Sequence, residues 1–224
     1  MGLYERHVLP RLINLAMQNP AARAERATLV PRARGRVLEV GIGSGLNIRF
    51  YGTEVTALTG LDPSGELLRT ARRRAARARF PVTLVAASAE QIPFGDASFD
   101  TLVLTWTLCS IPDTTSALRE MRRVLRPGGA LLFIEHGQAP DARVRLWQDR
   151  VTPYWRRVAG GCHLNRRIDA LIQASGFRLG HLETMYLRGP KIMTYFYKGE
   201  ARPDGAGPVL DKRATRSSTS SPTR

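Results

Sequence analysis

The stretch Val37-Leu38-Glu39-Val40-Gly41-Ile42-Gly43-Ser44-Gly45 restricts the folds open to this chain more than any other. Its first half is an apolar run of strand length interrupted by one acid, and its second half alternates glycines. Each glycine removes a Cβ and accepts positive φ, so backbone at the end of a buried strand can come close to a ligand. A second apolar run, Val55-Thr56-Ala57-Leu58-Thr59-Gly60-Leu61, ends at Asp62. An acid at the tip of a neighbouring strand can accept hydrogen bonds from vicinal ribose hydroxyls. Strand, glycine turn and second acid point together to a ligand that contains a nucleoside.

The glycine spacing narrows the nucleoside. A dinucleotide fingerprint needs glycine at the first, third and sixth positions so that a helix N-terminus can receive a pyrophosphate. Leu46 occupies the sixth position. Further along come Ala89-Glu90-Gln91-Ile92-Pro93-Phe94-Gly95-Asp96-Ala97-Ser98-Phe99-Asp100, then Glu120-Met121-Arg122-Arg123-Val124-Leu125-Arg126-Pro127-Gly128-Gly129, then the apolar run Ala130 to Glu135. Pro127 presets φ and Gly128 supplies φ > 0 in a type II turn, which stops a helix and starts a strand. These segments, in this order over roughly a hundred residues, resemble the class I S-adenosylmethionine-dependent methyltransferases. The resemblance implies that Gly41, Gly43 and Gly45 pass beneath the methionine and ribose portions of S-adenosyl-L-methionine. It implies Glu39 as the partner of the cofactor's ammonium and Asp62 as the partner of its ribose. Ser88 and Glu90 stand where many members place an acid on the adenine amino group, and Thr105 joins the cofactor candidates at the end of the fourth strand.

Apolar runs alternate with helical patterns from residue 35 onward. Strands are expected near Arg36–Val40, Val55–Leu61, Val82–Ala86, Thr101–Thr105 and Ala130–Glu135, with helices centred near Ile48, Leu68, Ala89 (short) and Leu118. This alternation signifies an α/β fold with a doubly wound, mostly parallel sheet, whose ligand lies beyond the carboxyl ends of the strands. Helices follow around Arg143–Val158 and Leu164–Ala174. Two further runs, Leu179–Leu187 and Ile192–Lys198, correspond to the antiparallel C-terminal pair that ends such methyltransferases, giving a Rossmann-like sheet of about seven strands. Leu3, Tyr4, Val8, Leu12, Leu15 and Ala16 recur at helical spacing, and the resemblance makes residues 1–34 a helical cap over the cofactor. The methyltransferase domain is expected over 35–198. Residues 199–224 hold hardly any large apolar side chain and are expected to be a disordered tail.

With 224 residues, 43% of them hydrophobic, the chain is long enough for one α/β domain. No stretch approaches the roughly 18 to 20 apolar residues of a membrane span, and the first residues lack a signal-peptide pattern, so a cytoplasmic location is expected. Two cysteines, Cys109 and Cys162, are too few for a disulfide framework or an all-cysteine zinc site, and no metal is assigned from the sequence. The net charge of +15 invites a nucleic-acid reading. Its densest run, Arg69 to Arg79, falls on the expected helix after the second strand, whose Leu67, Leu68, Ala71, Ala75 and Ala78 form a core stripe. That pattern describes a solvated helix face and makes nucleic acid an unlikely partner.

The acceptor is written after the fourth strand, where the chain reads Thr105-Trp106-Thr107-Leu108-Cys109-Ser110. Neither the Asn/Asp-Pro-Pro-aromatic motif of base amino-methylation nor the Pro-Cys of pyrimidine methylation is present. This run, Glu135-His136, the helix bearing Trp147, Gln148 and Asp149, and Gly161-Cys162-His163-Leu164-Asn165-Arg166 are similar to the methyltransferase-like 7 family of thiol S-methyltransferases and its bacterial relatives. The resemblance covers about residues 35–198 and implies a small-molecule acceptor, with a thiol favoured. A thiol must ionise, and a neutral imidazole can take its proton near pH 7; His136 and, second, His163 are the candidates. Either can instead be a structural hydrogen-bonder. Trp106, Trp147, Tyr154 and Trp155 are candidate walls of an acceptor pocket. Arg143, Arg145, Arg150, Arg156 and Arg157, interleaved with Trp147, Tyr154 and Trp155, also suit an anionic membrane surface, with a phospholipid amine or quinone precursor as acceptor. A non-enzymatic basic binding module is the remaining alternative.

Overall fold

In the computed structural model, residues 8–205 are described. Leu3 and Tyr4 of the expected N-terminal stripe, and the tail beyond residue 205, lie outside them. Thirteen helices and strands of two turns or more, or of strand length, follow the chain: α1 (Leu9–Ala16), α2 (Pro20–Leu29), β1 (Gly35–Val40), β2 (Val55–Leu61), α3 (Gly65–Ala75), β3 (Val82–Val85), β4 (Phe99–Thr105), α4 (Thr114–Val124), β5 (Leu125–His136), α5 (Ala142–Val158), α6 (Ile168–Ala174), β6 (Phe177–Tyr186) and β7 (Tyr195–Pro203). The seven strands form one sheet in the order β3-β2-β1-β4-β5-β7-β6. The first five are parallel, and β7 runs antiparallel between β5 and β6. The expected α/β class, with its antiparallel C-terminal pair, is the observed one.

β1 lies inside the sheet with helices over both faces, so its sequence is a continuous apolar run rather than an alternation. Val37, Leu38 and Val40 are at most 1% exposed. Side chains of successive residues go to opposite faces. Leu38, Leu102, Leu104, Leu131 and Phe133 join one core with Leu118 and Met121 of α4 and Ile168 and Ile172 of α6. Val37, Val103, Leu132 and Ile134 join the other with Leu29 of α2 and Leu68 of α3. Three helix starts are fixed by side chains that accept an otherwise unpaired amide: Asn19 from Ala22, Ser64 from Leu67, and Asp113 from Ser116.

Four sequence expectations differ from the structure. The helix expected near Ile48 is a single 3-10 turn, Ile48–Phe50, and Tyr51 is already extended. The short helix expected at Ala89 is a turn, because Pro93 biases Ile92 away from helical backbone. The Pro127-Gly128 turn does have Gly128 at φ 79°, yet it makes a bulge inside β5: Leu125 pairs with Phe99 before it and Ala130 with Thr101 after it. The domain boundary at 198 falls inside β7, where residues 199–203 remain paired with β6. Gly199 is required there by crowding, since a Cβ on it would stand 2.3 Å from the His181 carbonyl oxygen.

Candidate active site

A cavity of about 490 Å³ opens beyond the carboxyl ends of β1, β2, β4 and β5, the position that strand-order reversal between β1 and β4 creates. Glu39, on β1, is 1% exposed and touches this cavity. Tyr51 Oη donates to its Oε2 at 2.7 Å, and Asn47 Nδ2 donates to its Oε1 at 2.9 Å and to Thr105 Oγ1 at 3.0 Å. Burial pushes the Glu39 carboxyl up to about 8, against the pull of the Tyr51 and Asn47 hydrogen bonds and the charge of Arg26. Arg26, from α2, is 4% exposed. It donates to the Met17 carbonyl at 2.7 Å and lies 4.6 Å over the Trp106 ring.

Asp62, at the tip of β2, is 7% exposed and also lines the cavity. Its Oδ2 accepts the Gly43 amide at 2.9 Å and its Oδ1 the Ser64 amide at 2.8 Å. A carboxylate has about four acceptor positions, so two remain for a vicinal diol. Gly41 (φ 73°) and Gly43 (φ 54°) line the cavity; Gly45 does not, and its missing Cβ makes room for Ile48 and for Ala71 of α3. Ser44 ties the turn to its surroundings: its hydroxyl donates to Asn14 Oδ1 of α1 at 2.5 Å, and Arg74 donates to its carbonyl. One arginine of the basic run therefore holds the cofactor loop. Ile13 and Asn14 of α1 and Met17 at its C-cap face the cavity, while Leu12 and Leu15 of the expected apolar stripe are exposed, because the helix docks by its opposite side.

Ser88 lines the cavity, but Glu90 does not. Glu90 accepts from the Ser88 hydroxyl at 2.8 Å and from the Asp113 amide at 2.8 Å, which joins the loop after β3 to the start of α4. The remaining wall follows β4. Trp106 adopts φ 54°, rare for an aromatic residue, and its amide donates to the Ile134 carbonyl at 2.8 Å. Glu135, fully buried on β5, accepts the amides of Thr107 at 2.8 Å and Cys109 at 3.4 Å, and burial raises its carboxyl to about 7. Arg166 donates to the carbonyls of Leu108 and Ile111, the latter at 2.8 Å, holding the same loop from the other side.

His136 faces the cavity at the end of β5, with Nε2 2.9 Å from Cys162 Sγ. Burial alone would lower its pKa; the Cys162 contact and the Glu135 charge outweigh it and leave the imidazole raised. Cys109 and Cys162 line the cavity beside it, with Trp155. His163 is outside: its Nδ1 and amide both meet the Cys109 carbonyl, at 3.2 and 2.8 Å, and burial with Arg166 lowers its pKa. Of the four wall candidates, Trp106 and Trp155 reach the cavity, while Trp147 and Tyr154 are 54% and 70% exposed.

The fit of S-adenosylmethionine rests on atoms left without partners. Arg26 Nε and Asn47 Oδ1 are buried side-chain atoms lacking a hydrogen bond, and both residues line the cavity next to Glu39. A cation beside a carboxylate and a free amide oxygen matches a zwitterionic amino-acid end, and Asp62 matches a ribose. Residues 38–133 match the family model for a methyltransferase domain. The chain is 34% identical over 162 residues to Thiol S-methyltransferase TMT1A of Homo sapiens, covering 68% of this chain and 65% of that protein. It is 38% identical over 104 residues to a phosphatidylethanolamine N-methyltransferase of Cereibacter sphaeroides, covering 46% and 51%. The solved N-methyltransferase NodS of Bradyrhizobium japonicum, in complex with S-adenosyl-L-homocysteine, superposes with TM-score 0.65 at 17% identity, covering 84% of this chain and 89% of that one. The chain belongs to the class I S-adenosylmethionine-dependent methyltransferases.

The chain spans less than two thirds of the length of the thiol S-methyltransferases it resembles, 62% and 65% of the two. Of the site residues expected from the sequence, Glu39, Gly41, Gly43, Asp62, Ser88, Thr105 and His136 line the cavity, and Gly45, Glu90 and His163 do not. Arg26, Asn47, Tyr51 and Glu135 were missed. The Asn19-Pro20 pair that starts α2 was the available signal for Arg26.

Two measurements test the cofactor half. Asp62→Ala is expected to weaken S-adenosylmethionine binding by about 100-fold in calorimetry, the loss of two charge-assisted hydrogen bonds of roughly 1.5 kcal/mol each, with an unchanged circular dichroism spectrum. Because Glu39 binds its proton more tightly folded than unfolded, its contribution to stability is full at acid pH. It is lost as pH rises from the ordinary carboxylate range to about 8. Glu39→Gln is expected to flatten most of that decline in urea titrations between about pH 5 and 8, with Glu135 supplying the remainder up to about 7.

Proposed function

We propose that the chain transfers the S-adenosylmethionine methyl group to the sulfur of a small thiol. The observation that carries this reading is one part of the cavity lining, where two thiols and an imidazole, Cys109, Cys162 and His136, come together with Trp155. Soft, polarisable side chains on an apolar wall suit a sulfur acceptor. The resemblance to thiol S-methyltransferases at 34% identity supports the same class.

When bound, S-adenosylmethionine supplies a methyl already activated on a sulfonium, so the protein has little covalent chemistry to perform. Its side chains hold both reactants, exclude water and favour the ionised acceptor. Glu39, Asn47 and Arg26 fix the amino-acid end and Asp62 the ribose. Glu135 holds the backbone of Thr107 and Cys109 and so shapes the acceptor side. His136 is the group beside which the thiol loses its proton.

S-adenosylhomocysteine release across a panel of thiols, amines, phenols and phosphatidylethanolamine tests the acceptor: turnover is expected with thiols, and preferential turnover of the phospholipid amine refutes it. His136→Ala is expected to slow thiol turnover by about 10²- to 10⁴-fold below the acceptor's own pKa and far less above it. A pH-independent loss contradicts a role in thiol ionisation.

A second reading concerns where the enzyme works. Val8, Leu12 and Leu15 of the α1 segment and Leu146, Trp147, Tyr154 and Val158 of α5 are exposed. Both helices border the cavity, and Leu9 and Ile13 approach Gly160 just past α5. Arg143, Arg150 and Arg157 recur along α5 at seven-residue spacing beside that apolar stripe. We infer peripheral docking of this rim on an anionic bilayer. Co-sedimentation with phosphatidylserine vesicles, lost in high salt and in a Leu12→Glu/Trp147→Glu variant, is the expected result; equal pelleting with neutral phosphatidylcholine vesicles contradicts it.

A further inference from the structure

We propose that Cys109, Cys162 and His136 form a binding site for a soft divalent cation, zinc by preference, whose open fourth position takes the acceptor thiol. The proposal deepens the thiol reading above and rests on it for its purpose, though not for the existence of the site.

The three ligand atoms all lie within 4.8 Å of one another. Cys109 Sγ and Cys162 Sγ are 3.8 Å apart, and His136 Nε2 is 2.9 Å from Cys162 Sγ. Two thiolates at about 2.3 Å from a tetrahedral zinc stand about 3.8 Å from each other, the separation found here. A sulfur and an imidazole nitrogen on the same ion stand about 3.6 Å apart, so the 2.9 Å His136–Cys162 contact widens by roughly 0.7 Å when the ion enters. Two sulfurs, one nitrogen and no carboxylate select zinc over magnesium or calcium. All three residues line the cavity, so the fourth direction opens toward the space where an acceptor enters. Three protein ligands with one open position describe a catalytic rather than a structural zinc site.

The ligands come from three separate places in the chain: the loop after β4, the end of β5 and the segment after α5. Other contacts hold each of these. The Cys109 amide reaches Glu135, the Cys109 carbonyl receives the His163 amide next to Cys162, and the Gly137 carbonyl following His136 is bound by Gln148 of α5. The count of two cysteines, too few for an all-cysteine site, becomes sufficient when the fold adds one imidazole.

The step assigned to the cation is proton loss. The acceptor's sulfur donates a lone pair to the metal, its S–H bond breaks, and the proton passes to water at the cavity mouth. The sulfur retains the electron pair that methyl transfer requires. His136 then acts as a ligand through Nε2.

The test is cobalt(II) titration of the full chain after chelator treatment, under a phosphine reductant that keeps both thiols reduced. The expected result is one cobalt per chain, with the intense visible bands of tetrahedral thiolate-bound cobalt and displacement by zinc. Cys109→Ser, Cys162→Ser and His136→Ala are each expected to weaken binding at least about tenfold. The exposed His181→Ala is expected to leave it unchanged, and unchanged S-adenosylhomocysteine affinity reports that each variant is folded. Adding a thiol acceptor is expected to shift the cobalt spectrum. Absence of stoichiometric binding, a pale six-coordinate spectrum, or full affinity in Cys162→Ser overturns the site. Metal-free protein that methylates thiols at the metal-loaded rate overturns its role while the thiol reading stands. A loaded protein with the cobalt signature and no turnover of any thiol overturns the thiol reading while the site stands.

Discussion

A carboxylate with almost no contact with water, Glu39 at the heart of the sheet, is the constraint around which the cofactor half is organised. A buried acid is tolerable only when donors meet its oxygens. Tyr51 and Asn47 provide them from the chain between β1 and β2, and Asn47 passes the restraint on to Thr105 of β4. One 3-10 turn, Ile48–Phe50, separates the two donors. Residues 47 and 51 must both reach back to the same strand. Arg26 adds its charge from α2, so that an acid and a base stand together where an amino acid's two charges fit.

Glu135 repeats the device on β5. β4 lies between β1 and β5, and each flanking strand carries one buried acid near its carboxyl end. Glu39 fixes the loop after β1, and Glu135 fixes the loop after β4. The second loop departs from β4 through Trp106 at positive φ, a conformation that persists only when surrounding bonds impose it. The amide bonds to Glu135 and the Arg166 bonds to Leu108 and Ile111 impose it here. One acid thus serves the donor side of the cavity and the other the acceptor side.

Contacts local in sequence were legible. The apolar runs placed the strands, and Asp62 at the end of β2 lies within reach of Gly43, a neighbour set by parallel pairing. Residues whose role depends on distant partners were not. Glu90 has the right type and nearly the right position, yet Ser88 and Asp113 hold it away from the cavity. His136 and, second to it, His163 are both candidates in the sequence, but the backbone turn after α5 aims His163 at the Cys109 carbonyl and leaves Cys162 beside His136. Residues 199–203 read as tail because they hold no large apolar side chain, although positions 199, 201 and 203 are buried and crowding against β6 requires glycine at 199.

The sequence by itself determined the parallel sheet, the glycine turn and the acid at the tip of β2, because strand periodicity and backbone freedom at glycine act over a few residues. The tertiary structure alone decided which polar groups meet inside the cavity. Arg26 with Glu39, Glu135 with the loop after β4, and Cys109 with His136 and Cys162 come from segments far apart in the chain. Burial and hydrogen-bond geometry between such segments exist only once the sheet has brought their ends together.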